Sequence, residues 1–277
     1  MRLRFNRHKI FSTVLNIIGL TLAFSVFLIL MVQVVYDTRY DLGYPDADKI
    51  VRLEYSDPTT PGVYGVQCCR PFIEFVKDFI PQAEAVSCYH YYKNNSSRFK
   101  ESGSEMPGIQ IKYASTDFDL LRIFPFEFTQ GDTSEYRAPW TAVISESTAA
   151  RLFGDQSPIG KDIQNDIPDA YSYRIVAVYK DFPDNSSMDN GLLLNMGDDC
   201  LNNYSEWSFP CYMKLRTSEG LQSVLDSLCV ELYGPEYKDQ VDARLTHLHD
   251  AYYARDVDGD NMAKGNRTTT MTLLTVS

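Results

Sequence analysis

Few residues in this sequence are of types that could do chemistry, and most of them stand at the wrong spacing for it. Gly154 to Asp162 reads GDQSPIGKD and looks like a phosphate-cradling glycine loop. Such a loop places four residues between its glycines and follows its lysine with Ser or Thr, whose hydroxyl holds Mg²⁺. Here five residues intervene and Asp162 follows Lys161, so a helix end and a turn account for both glycines. Asp256 to Asn261 (DVDGDN) gathers three carboxylates, and Ca²⁺ favours oxygen-rich loops. An EF-hand would need glycine at its sixth position and glutamate at its twelfth, where Arg267 stands, so a solvated loop is expected. His247 and His249 flank Leu248 in a segment that reads as a strand, which puts both imidazoles on one face. No Cys, Asp or Glu stands at a diagnostic distance to complete a metal site, so surface or interface histidines are expected. His8 and His90 are the remaining histidines. The sequence has no GxSxG elbow and no HExxH, which leaves a histidine-dependent triad unsupported. No catalytic, cofactor-binding or metal-ligating residue is assigned, and the expectation is a protein that is not an enzyme. Cys68, Cys69, Cys88, Cys200, Cys211 and Cys229 include no CxxC pair, and their connectivity stays open. Asn95, Asn185, Asn203 and Asn266 lie in N-x-S/T triplets, which matter only on a eukaryotic secretory route.

The elements that would carry these residues can be read along the chain. Strands are expected over Asp48 to Tyr55, Glu84 to Tyr92, Ile109 to Ala114, Thr141 to Ile144, Tyr173 to Tyr179, Leu192 to Met196, Pro210 to Leu215 and Leu245 to Tyr252. Helices are expected over Pro71 to Ile80, with Pro71 at its start, and over Asp117 to Ile123. A third runs from a Ser145 cap to Phe153 and closes at Gly154, and a fourth covers Ser218 to Tyr233. Asp57 to Gly65, Asn94 to Pro107 and Asp256 to Asn266 read as loops, and Pro183-Asp184-Asn185 as a turn. Strand-helix-strand order near both ends predicts an α+β domain of two βαβ halves, with a strand-rich subdomain of about 113–195 inserted between them.

Phe11 to Val35 contains no charged residue and no histidine. At about 1.5 Å per residue a helix this long crosses a hydrocarbon core of roughly 30 Å. It is too long for the apolar region of a signal peptide, and Val34-Val35-Tyr36-Asp37 makes a poor cleavage site. Arg2, Arg4, Arg7 and Lys9 precede it, and positive flanks stay in the cytoplasm. The expected layout is therefore a basic flank over 1–10, a membrane helix over 11–36 and an exported domain over 37–267. Residues 268–277 (TTTMTLLTVS) turn uncharged and read as the start of a second membrane helix. Exported domains permit disulfides.

The chain has 277 residues, a net charge of -11, 44% apolar and 13% aromatic residues. That apolar content supports a packed core and excludes a disordered chain. The acidic balance excludes a nucleic-acid binder, which needs a basic face for phosphates.

Several blocks resemble the MacB/FtsX-type permeases of ABC transporters. Asn16-Ile17-Ile18-Gly19-Leu20 with Ala23 is similar to their first membrane helix. Tyr40-Asp41, Pro45 to Ile50 and Val51-Arg52 look like the opening of their periplasmic core domain. Phe124-Pro125-Phe126 with Gly131-Asp132 resembles the segment before its middle. The most specific match runs from Ala142 to Gly154 (AVISESTAARLFG) and on through Ser157-Pro158-Ile159-Gly160-Lys161. Val176 to Pro183 (VAVYKDFP) and Asn185-Ser186 follow, with Ala177 where many members have Gly. The resemblance covers essentially the whole chain. It implies a non-catalytic permease subunit in the inner membrane, with its large domain in the periplasm between the first two of four membrane helices. The implied partners are a cytoplasmic ABC ATPase, a second permease copy and, in the MacB type, a periplasmic adaptor and an outer-membrane channel. It also implies that ATP-driven motion passes through the periplasmic domain for efflux, lipoprotein movement or hydrolase control. The matched residues read as caps, packing and turns, which suits a mechanical domain. A single-pass, membrane-anchored sensor or ligand-binding domain is the competing reading.

Overall fold

A computed structural model describes residues 7–43, 45–90 and 96–276. Arg2, Arg4, the last residues of the strand expected over 84–92 and Asn95 lie outside the described residues. The chain divides into two compact units, residues up to Tyr40 with Gly265 onward, and Asp41–Lys264.

The first unit contains α1 (Arg7–Thr38) and the C-terminal helix α7 (Arg267–Val276). Ile10–Thr38 is the one stretch among the described residues long and apolar enough to cross a membrane. Phe11, Leu20 and Val32 are each at least 70% exposed, an outward apolar surface that suits lipid and not water. The helix satisfies hydroxyls on its own backbone: Ser25 Oγ donates to the Thr21 carbonyl at 2.8 Å and Thr38 Oγ1 to that of Val34 at 2.7 Å. Asp37 is buried near the end of α1, where its carboxylate accepts from Gln33 Nε2 and from Thr270 Oγ1 of α7, each at 2.8 Å.

The second unit opens with β1 (Ile50–Tyr55), the short β2 (Tyr64–Gly65) and β3 (Gln67–Cys68), α2 (Arg70–Phe79) and β4 (Ala83–His90). Pro71 sits in the first turn of α2, where its missing N–H costs nothing, and Phe72, Ile73 and Val76 turn inward. Near the other end come β12 (Phe209–Leu215), α5 (Leu221–Tyr233) and β13 (Ala243–His247). These two strand-helix-strand units interlock. The strand order is β13-β1-β12-β4 with every neighbour antiparallel, so β12 lies between the strands of the first unit. Val51, Leu53, Val86 and Met213 share one core with Ile73 and Val76 of α2 and Leu225 and Leu228 of α5. That is the arrangement of two split βαβ units built into one sheet.

Between them lie β5 (Ser96–Glu101), β6 (Ile109–Thr116), α3 (Leu120–Ile123), β7 (Phe128–Gly131), β8 (Thr141–Ser145) and α4 (Glu146–Phe153). After them come β9 (Asp162–Asn165), β10 (Ser172–Tyr179) and β11 (Leu192–Asn195). The order β11-β8-β10-β9-β5-β6, with β6 pairing again to β11, closes these six strands on themselves. Phe99, Ile111, Ala142, Ile144, Ile163, Ile175, Val178, Leu192 and Leu194 pack into one core with Ala149 and Phe153 of α4. Closure removes the exposed sheet edges. The pairs Tyr89–Thr116 and His90–Ser115 join this closed sheet to the split βαβ sheet.

Three local expectations are corrected. Ser96–Glu101, expected as part of a loop, is a strand between β6 and β9, and only Phe99 on it is fully inward, so its sequence looks polar. The strand expected over Leu245 to Tyr252 ends at His247. Leu248 then begins the short helix α6 (Leu248–Tyr253), which buries Leu248, Ala251 and Tyr252 at helical spacing. Loop segments near 65 and 257 hold two-residue strands, β2 and β14 (Val257–Asp258), which pair in parallel.

Candidate functional site

The glycine loop at 154–162 begins at the end of a helix and not at its start. Gly154 caps α4 at φ 59 and Gly160 turns at φ 79, while Lys161 Nζ donates to Gln156 at 2.7 Å and stands over the Phe153 ring. Phosphate cradles point helix N-termini at the anion, so this loop has the opposite polarity. His247 and His249 do not share a strand face, because His247 ends β13 and His249 lies on α6 against Tyr253. His90 packs its ring on Phe209 at 4.9 Å, and burial pushes its pKa below the ordinary value, against the attraction of Glu206. No disulfide joins the six cysteines in this structure, five of them are buried, and Cys88 Sγ stands 3.6 Å from Met196 Sδ.

The acidic stretch 256–261 meets cations of its own chain. Asp260 is inside, and its carboxylate accepts from Arg52 Nη1 at 2.7 Å and from Lys264 Nζ. Arg52 Nη2 reaches Glu54 at 2.5 Å, and Glu54 also accepts from Arg244 Nε at 2.7 Å. Arg244 continues to Asp256 at 3.3 Å and covers the Tyr64 ring. Arg52 and Glu54 are fully buried. They alternate along β1, so both side chains leave the face opposite to Val51 and Leu53. Glu54 stands directly across from Arg244 on β13, which fixes that pair.

Burial alone would lower the pKa of Arg52. Its interactions with Tyr212, Asp260 and Glu54 outweigh that and hold the guanidinium charged. Burial lowers the pKa of Lys264, and its bond to Asp260 opposes this in part. Lys264 also donates to the Ala251 carbonyl at 2.6 Å. Opposite charges are thus matched inside, and breaking one partner would leave a buried charge behind.

A second anchor lies at the opening of the unit. Asp41, buried and at φ 56, accepts from the Ser187 N–H at 2.6 Å and from its hydroxyl. Its own N–H donates to the Asn185 carbonyl at 2.9 Å. The first residue of the unit is tied to the segment after β10, and the last stretch, 256–264, to β1. These groups hold and connect. None presents an activated nucleophile or an open cation site.

Sequence reading missed this network. Arg52 and Glu54 look like the solvent side of an alternating strand, and Asp260 looks like a loop carboxylate. The signal available was Arg52 within a matched block, on a strand whose neighbours are all inward.

A family model described as MacB-like periplasmic core domain matches residues 13–248. Comparison with curated proteins finds no match. Among solved structures, the chain is similar to a domain of a candidate permease protein from Porphyromonas gingivalis. The TM-score is 0.61 at 20% identity, covering 83% of this chain and 99% of that one. The periplasmic region of MacB from Actinobacillus actinomycetemcomitans matches with a TM-score of 0.49 and 12% identity, over 74% of this chain and 91% of that one. The extracellular domain of the noncanonic ABC-type transporter YknZ from Gram-positive bacteria gives 0.46 and 12%, over 70% and 99%.

Proposed function

We propose, for a chain that belongs to the MacB-like periplasmic core domain family, the role of a permease component of an ABC transporter. The observation that carries the reading is the extent of the family match, which takes in most of α1 and the exported unit together. In this reading α1 anchors the chain in the inner membrane, α7 begins a second membrane helix, and the unit from Asp41 to Lys264 stands in the periplasm. Its work is mechanical. A cytoplasmic ABC ATPase drives motion that passes through the membrane helices, and the domain relays it for efflux or envelope export. A paired permease copy, a periplasmic adaptor and an outer-membrane channel are the proposed further partners. The anchors at both ends of the exported unit support this, because a domain that relays force must not fray where force enters. Asp41 on Ser187, and Asp260 on Arg52, are such ties.

The test is purification of the full-length protein from its native membrane in mild detergent. An ABC ATPase recovered in stoichiometric amount, with hydrolysis altered by loss of this protein, is the expected result. A protein that purifies without a nucleotide-binding subunit, and whose deletion leaves membrane ATPase activity unchanged, overturns the reading.

A further inference from the structure

We propose that Cys88 and Cys211 are joined by a cross-strand disulfide that staples the two interlocked βαβ units to each other. Cys88 is on β4, the last strand of the first unit, and Cys211 is on β12, the first strand of the second. The antiparallel register puts them directly opposite one another. Directly opposed residues have Cα atoms about 4.5–5.5 Å apart, inside the roughly 4.4–6.8 Å span of disulfides. Both side chains enter the same core, with 1% and 0% exposure, so they share a face as well as a register. Cys68 lies opposite Phe209, two residues before Cys211 on β12, and is only a diagonal neighbour of Cys211. Cys69 is the residue before α2. The register therefore selects one pairing from the group. The inference rests on the exported placement proposed above, because only an oxidising compartment maintains such a bond.

Burial also sets the order of events. It pushes the Cys88 thiol up to about 12 and raises that of Cys211 as well, so neither is a thiolate in the closed sheet. The bond forms on the newly exported chain, before the strands are covered. Each thiol gives up a proton and an electron, and the S–S bond forms. The active-site disulfide of an exported thiol oxidoreductase takes up both electrons and both protons and becomes a dithiol. Once formed, the bond bridges β4 and β12, where the two units meet, and ties their strands covalently.

The experiment alkylates the full-length protein in denaturant without reductant, straight from the membrane, and maps its peptides by mass spectrometry. The expected result is that Cys88 and Cys211 carry no alkyl group and appear in one linked peptide, two hydrogens lighter than its parts. In Cys88→Ala, Cys211 becomes alkylated. A reporter substitution at exposed Glu105, E105C, is labelled in parallel with a membrane-impermeant maleimide on spheroplasts. Alkylation of both Cys88 and Cys211 overturns the staple, as does a linked peptide joining Cys211 to Cys68. If the reporter is labelled from outside in that case, the export reading stands and the staple alone has failed. A reporter that stays unlabelled removes both.

Discussion

Arg52 and Asp260 meet at 2.7 Å although 208 positions of sequence separate them, and both side chains are almost fully enclosed. Their contact ties the last stretch of the unit Asp41–Lys264 to β1. Replacing one member strands the other. Arg52→Ala leaves Asp260 with Lys264 alone and Glu54 with Arg244 alone. The expected loss is about 3–5 kcal/mol, the usual cost of breaking a buried ion pair. Denaturant unfolding of the exported domain measures it. The double variant Arg52→Ala/Asp260→Ala should lose less than the two singles added together, because the second substitution removes the charge that the first exposed. Additive losses would show that the two residues do not act as a pair.

The turn from β8 into α4 depends on Ser145. Its hydroxyl oxygen accepts from the Thr148 N–H and stands 3.0 Å from the Thr148 hydroxyl, and the residue is fully buried. Ser145→Ala should cost about 0.5–2 kcal/mol, as caps of this kind do. Ser145→Asp keeps an acceptor but buries a charge, so its loss should be larger than that of alanine. Chemical denaturation of the two variants, compared with wild type, reads the difference.

This strand-cap-helix segment is also the part most legible in sequence. Its strand is short with Ala142, Val143 and Ile144 in a row, its cap is Ser145, its stop is Gly154, and every one of these signals is local. The loop-like strand Ser96–Glu101 was hidden because its neighbours on both sides, and not its own side chains, make it a strand; Phe99 alone is fully inward. The passage from β13 to α6 was hidden for another reason. The strand does run to His247, but Leu248, Ala251 and Tyr252 then bury on one helical face. The charge network lay furthest from view. Whether Arg52 faces water or Asp260 is decided by a chain segment that arrives long after it.

Two glycines with positive φ should respond differently to the same substitution. Gly154, at φ 59 and ψ -126, has open space where a Cβ would stand, so Gly154→Ala meets only backbone strain, about 1–3 kcal/mol. Gly131, at φ 86, has the Val176 carbonyl oxygen 2.0 Å from that position, with the Ala177 backbone and Ile159 beside it. Gly131 pairs directly with Ala177, so the clash falls on the ladder between β7 and β10. Gly131→Ala should therefore lose clearly more than Gly154→Ala, by a further 1–3 kcal/mol or so for overpacking. Equal thermal midpoints for the two variants would show that β7 can move away from β10 at little cost.

His90 gives the domain a pH dependence of known sign. Burial lowers its folded pKa below the ordinary 6.5, with Glu206 acting in the opposite direction. As pH falls through 6.5, the unfolded chain takes up a proton that the folded domain refuses. Proton binding then favours the unfolded state, so stability drops until pH passes below the folded pKa. Above 6.5 the two states carry the same charge at this position and the effect vanishes. The imidazole lies against Phe209 at the junction between the closed sheet and the split βαβ sheet, so His90→Leu keeps an apolar contact there while removing the titration. Thermal midpoints between pH 7.5 and 5 should fall more steeply for wild type than for His90→Leu. Carboxylates elsewhere titrate equally in both proteins and cancel in the comparison. Parallel curves would mean that the folded domain accepts the proton on His90 as readily as the unfolded chain does.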